Sequence, residues 1–189
     1  MKRHFGKWLA AAVLAVGCTT ITAGAFTDTT GHWAESAINK WSQEYGIIQG
    51  YDDGTFRPDN SITRGAFAGI LDRFLHFQET SPASTFSDTA GTYWEDAILK
   101  LHASGVYLGN QGKALSASTI TRQQAVAMIG RAFNIPLETT SVSYSDGSSI
   151  AEYALPYVAE FEAHGYLTDC TDGRFRPTDA ITRAEIVNI

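Results

Sequence analysis

The chain has 189 residues, and its 14 Lys and Arg against 20 Asp and Glu give a formal net charge of −6. An acidic chain argues against nucleic acid or an anionic bilayer as its partner, because both require a basic surface patch. The length is sufficient for one domain with a packed core.

The first 25 residues are typical of a secretory signal peptide. A basic stretch precedes an apolar run from Trp8 to Gly17, and a small-residue cleavage site follows at 23–25. The apolar run of about ten residues is shorter than the roughly 20 that a membrane-spanning helix needs. We therefore expect a secreted protein at the cell surface or wall. Cys18 keeps open the alternative of a lipoprotein acylated at this cysteine.

Cleavage before Phe26 would leave 164 residues. It would remove three basic residues and no acidic one, which takes the net charge from −6 to −9. Cys170 would be the one cysteine left, so no intramolecular disulfide could form and packing alone would have to stabilise the fold.

Two short motifs recur three times in this part of the chain. An aromatic residue, a small polar residue and Asp open each repeat: Phe26-Thr27-Asp28, Phe86-Ser87-Asp88 and Tyr144-Ser145-Asp146. An Ile-Thr-Arg tripeptide follows later in each: Ile62-Thr63-Arg64, Ile120-Thr121-Arg122 and Ile181-Thr182-Arg183. The intervals are 60 and 58 residues for the first motif and 58 and 61 for the second. This regularity predicts repeats at 26–80, 86–137 and 144–189.

Repeat one reads as helix, loop, helix. Its first helix carries apolar residues at helical spacing: Trp33, Ala34, Ala37, Ile38, Trp41 and Tyr45. The loop 50–58 is dense in turn residues. The second helix has apolar positions at Phe67, Ile70, Leu71, Phe74 and Leu75. Neither helix can bury its stripe alone, so we expect a mainly α fold with three helix-loop-helix repeats in a pseudo-threefold bundle.

Each Ile-Thr-Arg tripeptide is typical of a helix start. The Thr side chain at the N-cap accepts a hydrogen bond from a backbone N–H that has no partner within the helix. Gln124 in repeat two and Glu185 in repeat three should complete capping boxes, whereas Ala66 leaves the box of repeat one open.

Together these motifs resemble the S-layer homology domain. The resemblance rests on Phe-x-Asp, His32-Trp33-Ala34, the loop Gly-Tyr-x-Asp-Gly-Thr-Phe-Arg-Pro at 50–58, and Ile-Thr-Arg. It implies a pseudo-trimeric bundle whose inter-repeat grooves bind anionic secondary cell-wall polymers, often pyruvylated and associated with peptidoglycan. It also implies that the chain has no catalytic activity, cofactor or metal, and that it tethers another domain or an S-layer protein to the cell surface.

Repeats two and three depart from this pattern. The loop of repeat two, 109–116, is one residue shorter and lacks the arginine, so we expect its groove to be weakened. Repeat three has Cys170 near the position of Tyr51, and its first helix should be delayed until about Pro156. Its second helix has only about seven residues, which leaves open a truncated reading frame whose missing C-terminal part carried the anchored cargo.

The arginine of each tripeptide is the main candidate for contact with the glycan. At the first helical position, free backbone N–H groups and the helix dipole already favour an anion. The planar guanidinium adds two parallel donors for a carboxylate, and charge-assisted bonds contribute about 1.5–3 kcal/mol each. The expected glycan-binding residues are Arg64, Arg122, Arg183, Asp28, Asp88, Asp146, Trp33, Arg57 and Arg176.

Each of these assignments has a structural alternative. The tripeptide arginines could instead pair with Asp28, Asp88 and Asp146, and Trp33 could belong to the core. Arg57 and Arg176 could form ion pairs within their loops.

Two other functions compete with glycan binding. An enzyme is disfavoured, because the five histidines show no metal-ligand spacing and no nucleophile motif such as G-x-S-x-G is present. A surface scaffold for protein interaction or self-assembly remains the alternative, because the same grooves could accept peptides.

Overall fold

The structure, a computed structural model, describes residues 26–189, so the predicted signal peptide and Cys18 lie outside the described residues. The helices are α1 (Glu35–Ile38), a π-helix (Asn39–Glu44), α2 (Arg64–Leu75), α3 (Glu95–Ala103), α4 (Arg122–Ala132), α5 (Leu155–Ala163) and α6 (Arg183–Asn188). Short 3₁₀ turns lie at Ala83–Thr85 and Gly147–Ser149. Extended pairing within 26–189 is limited to isolated bridges. The mainly α fold class is confirmed.

A ring of three backbone hydrogen bonds marks a pseudo-threefold axis. The N–H of Ile62 donates to the carbonyl of Ile181, that of Ile181 to Ile120, and that of Ile120 to Ile62, at 3.0–3.1 Å. The helices close a matching ring, because α2 packs on α3, α4 on α5, and α6 on α1. The second helix of each repeat thus buries its apolar face against the first helix of the next, which confirms the predicted arrangement.

The helix starts follow the predicted capping pattern. The hydroxyl of Thr63 accepts from the N–H of Ala66 at 3.2 Å. Glu185 and Thr182 form a complete capping box. The box in repeat two is looser: Gln124 accepts from the N–H of Thr121 at 3.1 Å, but the Thr121 hydroxyl has no hydrogen bond of normal length to the rest of 26–189.

The first helix of repeat one differs from the regular helix that its apolar spacing predicted. It is one α-helical turn followed by a π-helix, and Trp33 and Tyr45 are 57% and 58% exposed instead of buried. One additional residue accounts for the π-helix, because Asp28 and Gly50 are 22 positions apart while their counterparts Asp88 and Gly109 are 21 apart. The wider π-helical turn accommodates the insertion.

The hydrogen bonds that end the first helices of repeats one and two differ in span by the same one residue. The carbonyl of Trp41 accepts from Ile47, six residues later, whereas that of Leu101 accepts from Val106, five residues later, both at 2.8 Å.

Close packing of α2 on α3 depends on two glycines. A Cβ atom at Gly65 or Gly69 would lie 2.4 or 2.3 Å from the indole of Trp94. Trp94 is therefore chiefly a packing residue of the interface between repeats one and two. No helix within residues 26–189 is long and apolar enough to cross a bilayer.

Candidate functional site

The aspartate that opens each repeat holds the loop of its own repeat. Its two carboxylate oxygens accept from consecutive backbone N–H groups at 2.7–2.9 Å: Asp28 from Phe56 and Arg57, Asp88 from Ala114 and Leu115, and Asp146 from Phe175 and Arg176. The second residue of each pair has a left-handed backbone with φ of 57°. The two hydrogen bonds to the carboxylate, which we call the aspartate clamp, keep this conformation in place. These aspartates shape the loops that form the grooves.

The clamps change the acidity of these aspartates. Partial burial acts to raise the pKa of Asp28, but the hydrogen bonds from Phe56 and Arg57 outweigh it and lower the pKa below its ordinary value. The pKa values of Asp88 and Asp146 are lowered in the same way.

Acidification should therefore destabilise the bundle. A group whose pKa is lower in the folded state stabilises the fold above its unfolded pKa of about 3.9, and this stabilisation is lost as the pH falls through the folded pKa. We expect the melting temperature to fall steeply below about pH 4. Thermal unfolding followed by circular dichroism between about pH 7 and pH 2 measures this effect.

Two substitutions test whether the clamp is the cause. Asp28→Asn should lower stability at neutral pH and flatten the acid dependence. Asp52→Asn changes an exposed aspartate of the same loop and should leave both unchanged. An acid profile that is identical in Asp28→Asn and the unmodified chain would contradict this explanation.

Each tripeptide arginine reaches the loop of a different repeat. The Nε atoms of Arg64, Arg122 and Arg183 donate to the carbonyls of Ala114, Phe175 and Phe56, at 3.1, 2.8 and 2.8 Å. The alternative pairing of these arginines with Asp28, Asp88 and Asp146 is wrong, since no such ion pair forms within 26–189. The three arginines instead bring repeats together, and Arg64 and Arg183 line clefts between them.

The prediction that the backbone N–H groups at these helix starts are free to bind an anion is wrong. The N–H groups of Arg64 and Gly65, at the start of α2, are not free, because they donate to the carbonyls of Ser118 and Ser116 at 2.9 Å. The same occurs at the start of α4 and α6. Any anion in these clefts must therefore be bound by side chains, chiefly by the guanidinium groups.

Groove 1 is a cleft of about 220 Å³ lined by Gly50, Tyr51, Arg73, Tyr93 and Arg183, among others, with no carboxylate in its lining. Arg183 is 8% exposed, and burial lowers its pKa. Its Nη2 donates to the carbonyl of Gln49 at 2.6 Å. Arg73 donates from Nη1 to the carbonyl of Ile47 at 2.7 Å. Two cations thus face one cleft that has no carboxylate among its described lining residues.

Groove 2 is the larger cleft, about 500 Å³, lined by Arg64, Asn110, Gln124, Arg131 and Tyr153, among others, again with no carboxylate. The guanidinium of Arg64 lies 4.8 Å from the ring centroid of Tyr107. Only its Nε donates to another residue of the described chain, so both terminal amino groups remain available. The sequence predicted a weakened groove for repeat two; this groove is larger than groove 1, and within residues 26–189 its arginine has the fewest polar partners of the three.

The third tripeptide arginine, Arg122, lies at the equivalent site, which we call groove 3. The site also contains Asp169, Cys170 and Glu185. Nη1 of Arg122 lies 2.6 Å from Asp169 and 2.8 Å from Glu185, and Nη2 donates to Cys170 Sγ at 3.2 Å. Arg122 is only 2% exposed. Burial acts to lower its pKa, but the carboxylate of Asp169 raises it overall. Two acidic side chains of the protein itself already neutralise this arginine.

The loop arginines lie in ion pairs of their own repeats. Arg57 pairs with Asp53 at 2.7 Å and lies 4.0 Å from the ring centroid of Tyr51. Hydrogen bonds from Thr55 and then Arg57 lower the pKa of Asp53 to about 2. Arg176 pairs with Asp172 in the same i,i+4 geometry. Their proposed contact with a glycan stays a prediction.

The structure adds Arg73, Arg131 and Tyr153 to the groove residues, which sequence reasoning missed. Arg73 and Arg131 are 58 residues apart, as are Ile62 and Ile120, and they occupy equivalent places in grooves 1 and 2. Trp33, Tyr93 and Tyr153 recur at intervals of 60, and the two tyrosines line grooves 1 and 2. Aligning whole repeats, beyond their short motifs, would have revealed both sets.

Within the described part of the chain, no group of three or more His, Cys, Asp or Glu side chains is placed to hold a metal ion. The chemistry available in grooves 1 and 2 is that of cationic guanidinium groups beside aromatic rings and amides.

Comparison with known proteins identifies two of the three repeats. The sequence model of the S-layer homology domain matches residues 25–68 and 143–187, which correspond to parts of repeats one and three. The chain is 26% identical over 170 residues to an amylopullulanase of Thermoanaerobacterium thermosulfurigenes, covering 87% of the chain and 9% of that protein.

Two surface proteins are also similar. An S-layer protein of Bacillus anthracis is 26% identical over 185 residues, covering 95% of the chain and 21% of that protein. An outer membrane protein of Deinococcus radiodurans is 34% identical over 127 residues, covering 65% of the chain and 11% of that protein. The chain spans about a fifth or less of the length of these relatives.

These matches agree with the features already described: three helix-loop-helix repeats, a closed pseudo-threefold ring and inter-repeat clefts lined by arginine. The S-layer homology domain is a binding and anchoring module, and its occurrence in S-layer proteins supports association with the cell surface or cell wall. Two segments of this chain, 25–68 and 143–187, thus belong to the S-layer homology domain family.

Proposed function

We propose that this chain anchors a secreted protein non-covalently to the bacterial cell wall by binding an anionic, pyruvylated secondary cell-wall polysaccharide. The observation that carries the proposal is the charge of grooves 1 and 2. Each groove presents two arginines and no carboxylate, although the chain as a whole is acidic. An acidic polymer would be repelled by the surface in general and attracted only at these clefts.

The chemistry of the grooves fits a carboxylate-bearing sugar. A guanidinium group presents parallel N–H donors in the plane of a carboxylate, and its hydrogen bonds are strongest where water is partly excluded. Tyr93 in groove 1 and Tyr153 in groove 2 offer ring faces beside these cations. A pyruvyl ketal on a sugar ring supplies both partners, a carboxylate for the arginine and an apolar edge for the aromatic ring.

We rank the grooves by how far their arginines are already engaged. Among the described residues 26–189, Arg64 in groove 2 donates only from Nε, Arg183 in groove 1 is held by two carbonyls, and Arg122 in groove 3 is neutralised by two carboxylates. Groove 2 should bind best and groove 3 worst. Two working grooves on one rigid module, facing a repeating polymer, would increase retention through avidity.

The proposal includes the wider organisation of the protein. Repeats at 26–80, 86–137 and 144–189 form the anchor, and Asp28, Asp88 and Asp146 serve it by shaping the loops. Trp33, Arg57 and Arg176 are proposed as peripheral contacts. The anchored cargo would be another part of the same polypeptide, in the way that the amylopullulanase contains a segment similar to this chain.

A sedimentation assay tests the proposal. Purified cell walls that carry a pyruvylated secondary polymer are mixed with the protein before and after acid extraction of that polymer. We expect binding before extraction and its loss afterwards. Binding that persists on extracted walls would contradict the proposal and favour bare peptidoglycan or a protein partner, as the alternative of an interaction scaffold requires.

A further inference from the structure

The third residue of α6 faces both its own helix start and the groove beside it. This residue is Glu185, and its two carboxylate oxygens have different partners. Oε2 accepts a hydrogen bond from the N–H of Thr182 at 2.7 Å, which caps α6. Oε1 lies 2.8 Å from Nη1 of Arg122, the tripeptide arginine of the preceding repeat. One side chain therefore caps its own helix and neutralises the arginine of the neighbouring groove.

The third residue of α2 and of α4 also lies in a groove. Gln124 in α4 lines groove 2 together with Arg64. Ala66 in α2 lines groove 1 together with Arg183. Each lies in the same groove as the tripeptide arginine of the preceding repeat, because repeat three precedes repeat one in the closed ring. We call the three equivalent positions the N3 residues: Ala66, Gln124 and Glu185.

The N3 residues differ in the chemistry that they offer an anion. Oε1 of Gln124 accepts from the N–H of Thr121 at 3.1 Å, so the amide nitrogen is its remaining polar group. By the equivalence of the repeats, this nitrogen takes the place of the oxygen that Glu185 directs at an arginine. An amide nitrogen donates hydrogen bonds, and it therefore adds to the donors of groove 2. Ala66 has no polar side-chain atom and leaves the arginine of groove 1 unopposed from this position.

The other carboxylate of groove 3 comes from a loop position that repeats one and two cannot change in the same way. When the loops are aligned, Asp169 stands where Gly50 stands in repeat one. A Cβ atom at Gly50 would lie 2.2 Å from the ring of Phe26, and one at its counterpart Gly109 would meet a phenylalanine ring at 2.3 Å. Packing thus keeps this loop position free of a side chain in grooves 1 and 2. The N3 residue is where their charge can be changed.

We propose that the N3 residue determines whether the groove beside it accepts an anion, so that the open capping box of repeat one serves binding. Ala66 leaves the arginine of groove 1 unopposed, Gln124 adds a donor to groove 2, and Glu185 closes groove 3. The inference rests on the proposed function of grooves 1 and 2. Helix capping and anion binding then compete at this position, because a carboxylate that completes the capping box also occupies the arginine.

Gln124→Glu tests the proposal without a change in side-chain size. One oxygen of the new carboxylate can still accept from Thr121, so the melting temperature should not fall. The other oxygen should pair with Arg64. Binding to cell walls that carry the pyruvylated polymer should therefore weaken by about 10-fold or more, which corresponds to the loss of one charge-assisted hydrogen bond. Sedimentation isotherms and melting curves measure the two effects separately.

Ala66→Glu makes the equivalent change in groove 1 and completes the capping box of repeat one. The melting temperature should rise by about 2 °C while wall binding weakens. Ala66→Gln, which has the same size and no charge, should weaken binding less. Gln43→Glu adds the same charge at an exposed site of the π-helix, outside the lining of grooves 1 and 2, and should leave binding unchanged.

The outcomes separate this inference from the proposed function. If Gln124→Glu binds walls as tightly as the unmodified chain, or if Ala66→Glu and Ala66→Gln weaken binding equally, the inference is overturned while wall anchoring stands. Failure of the unmodified chain to bind these walls would contradict the proposed function instead. Pyruvate then tests the inference alone, because it should raise the melting temperature of the unmodified chain more than that of Gln124→Glu. Equal rises, or no rise in either protein, would overturn it.

Discussion

Replacing Arg64 with glutamine should weaken binding to cell walls by about 10- to 100-fold, because a hydrogen bond to a charged group contributes about 1.5–3 kcal/mol. Arg64 lies in groove 2, the larger of the two measured grooves, and within residues 26–189 only its Nε donates a hydrogen bond. The substitution removes the cation from groove 2 and leaves groove 1 unchanged. The remaining binding should come from groove 1 and should show less avidity.

The fold should tolerate this change. Within residues 26–189 the side chain of Arg64 makes one hydrogen bond to another repeat, from Nε to the carbonyl of Ala114 at 3.1 Å, and the substitution leaves its backbone hydrogen bond to Ser118 in place. Because the donor is a charged guanidinium, loss of this bond costs about 1.5–3 kcal/mol, so the melting temperature should fall only moderately. Binding isotherms on intact cell walls, together with melting curves, measure the two effects separately.

Lys40→Gln is the matched control. It removes the same charge from an exposed site on the first helix of repeat one. Wall binding should be unchanged, since Lys40 lines neither groove 1 nor groove 2. If the two variants bound equally well and as tightly as the unmodified chain, groove 2 would not be the binding site.

Neutralising the two carboxylates of groove 3 should have the largest effect on stability. In the double variant Asp169→Asn and Glu185→Gln, Arg122 would remain buried without a counter-charge. Breaking a buried ion pair from one side typically costs about 3–5 kcal/mol. We therefore expect a clearly lower free energy of unfolding. Glutamine is the natural residue at the equivalent position of repeat two, Gln124, so the helix start should still be capped.

The same double variant should acquire an anion site. The guanidinium of Arg122 would then resemble that of Arg64 and could accept the carboxylate of an external ligand. Pyruvate, used as a simple carboxylate, should raise the melting temperature of the double variant more than that of the unmodified chain, because a ligand stabilises the state that binds it. Binding to cell walls should increase as a third groove becomes available.

The single variant Glu185→Gln serves as control, because Asp169 still pairs with Arg122 at 2.6 Å. It should lose less stability and gain no pyruvate dependence. A double variant that is as stable as the unmodified chain would show that the carboxylates do not neutralise Arg122. A destabilised double variant that does not respond to pyruvate would show that groove 3 cannot accept an external anion.

The capping residues and the loop motifs made much of this fold predictable. Thr63 and Thr182 begin helices because their hydroxyls accept N–H groups three residues later, which is a local interaction that a short motif encodes. The π-helix in repeat one could also have been anticipated, because one additional residue between Asp28 and Gly50 is visible when the repeats are counted.

The candidate site was harder to predict. The sequence correctly placed an arginine at each helix start, but it could not show that Arg122 lies against Asp169 and Glu185 while Arg64 has no acidic neighbour in its groove. These partners come from different repeats, up to 63 residues away along the chain. Electrostatic neutralisation depends on distances of a few ångströms, which sequence separation does not reveal.

The sequence by itself determined the family, the three repeats, the mainly α fold and the arginines at the helix starts, because these features depend on local spacing and helix capping. Only the tertiary structure decided which grooves are free to bind an anion. It also decided that the helix N-termini are already occupied by carbonyls of neighbouring repeats, and that Arg73, Arg131, Tyr93 and Tyr153 line the clefts. The physical reason is that charge pairing and burial arise from side chains that meet across repeats, at short range in space and long range in sequence.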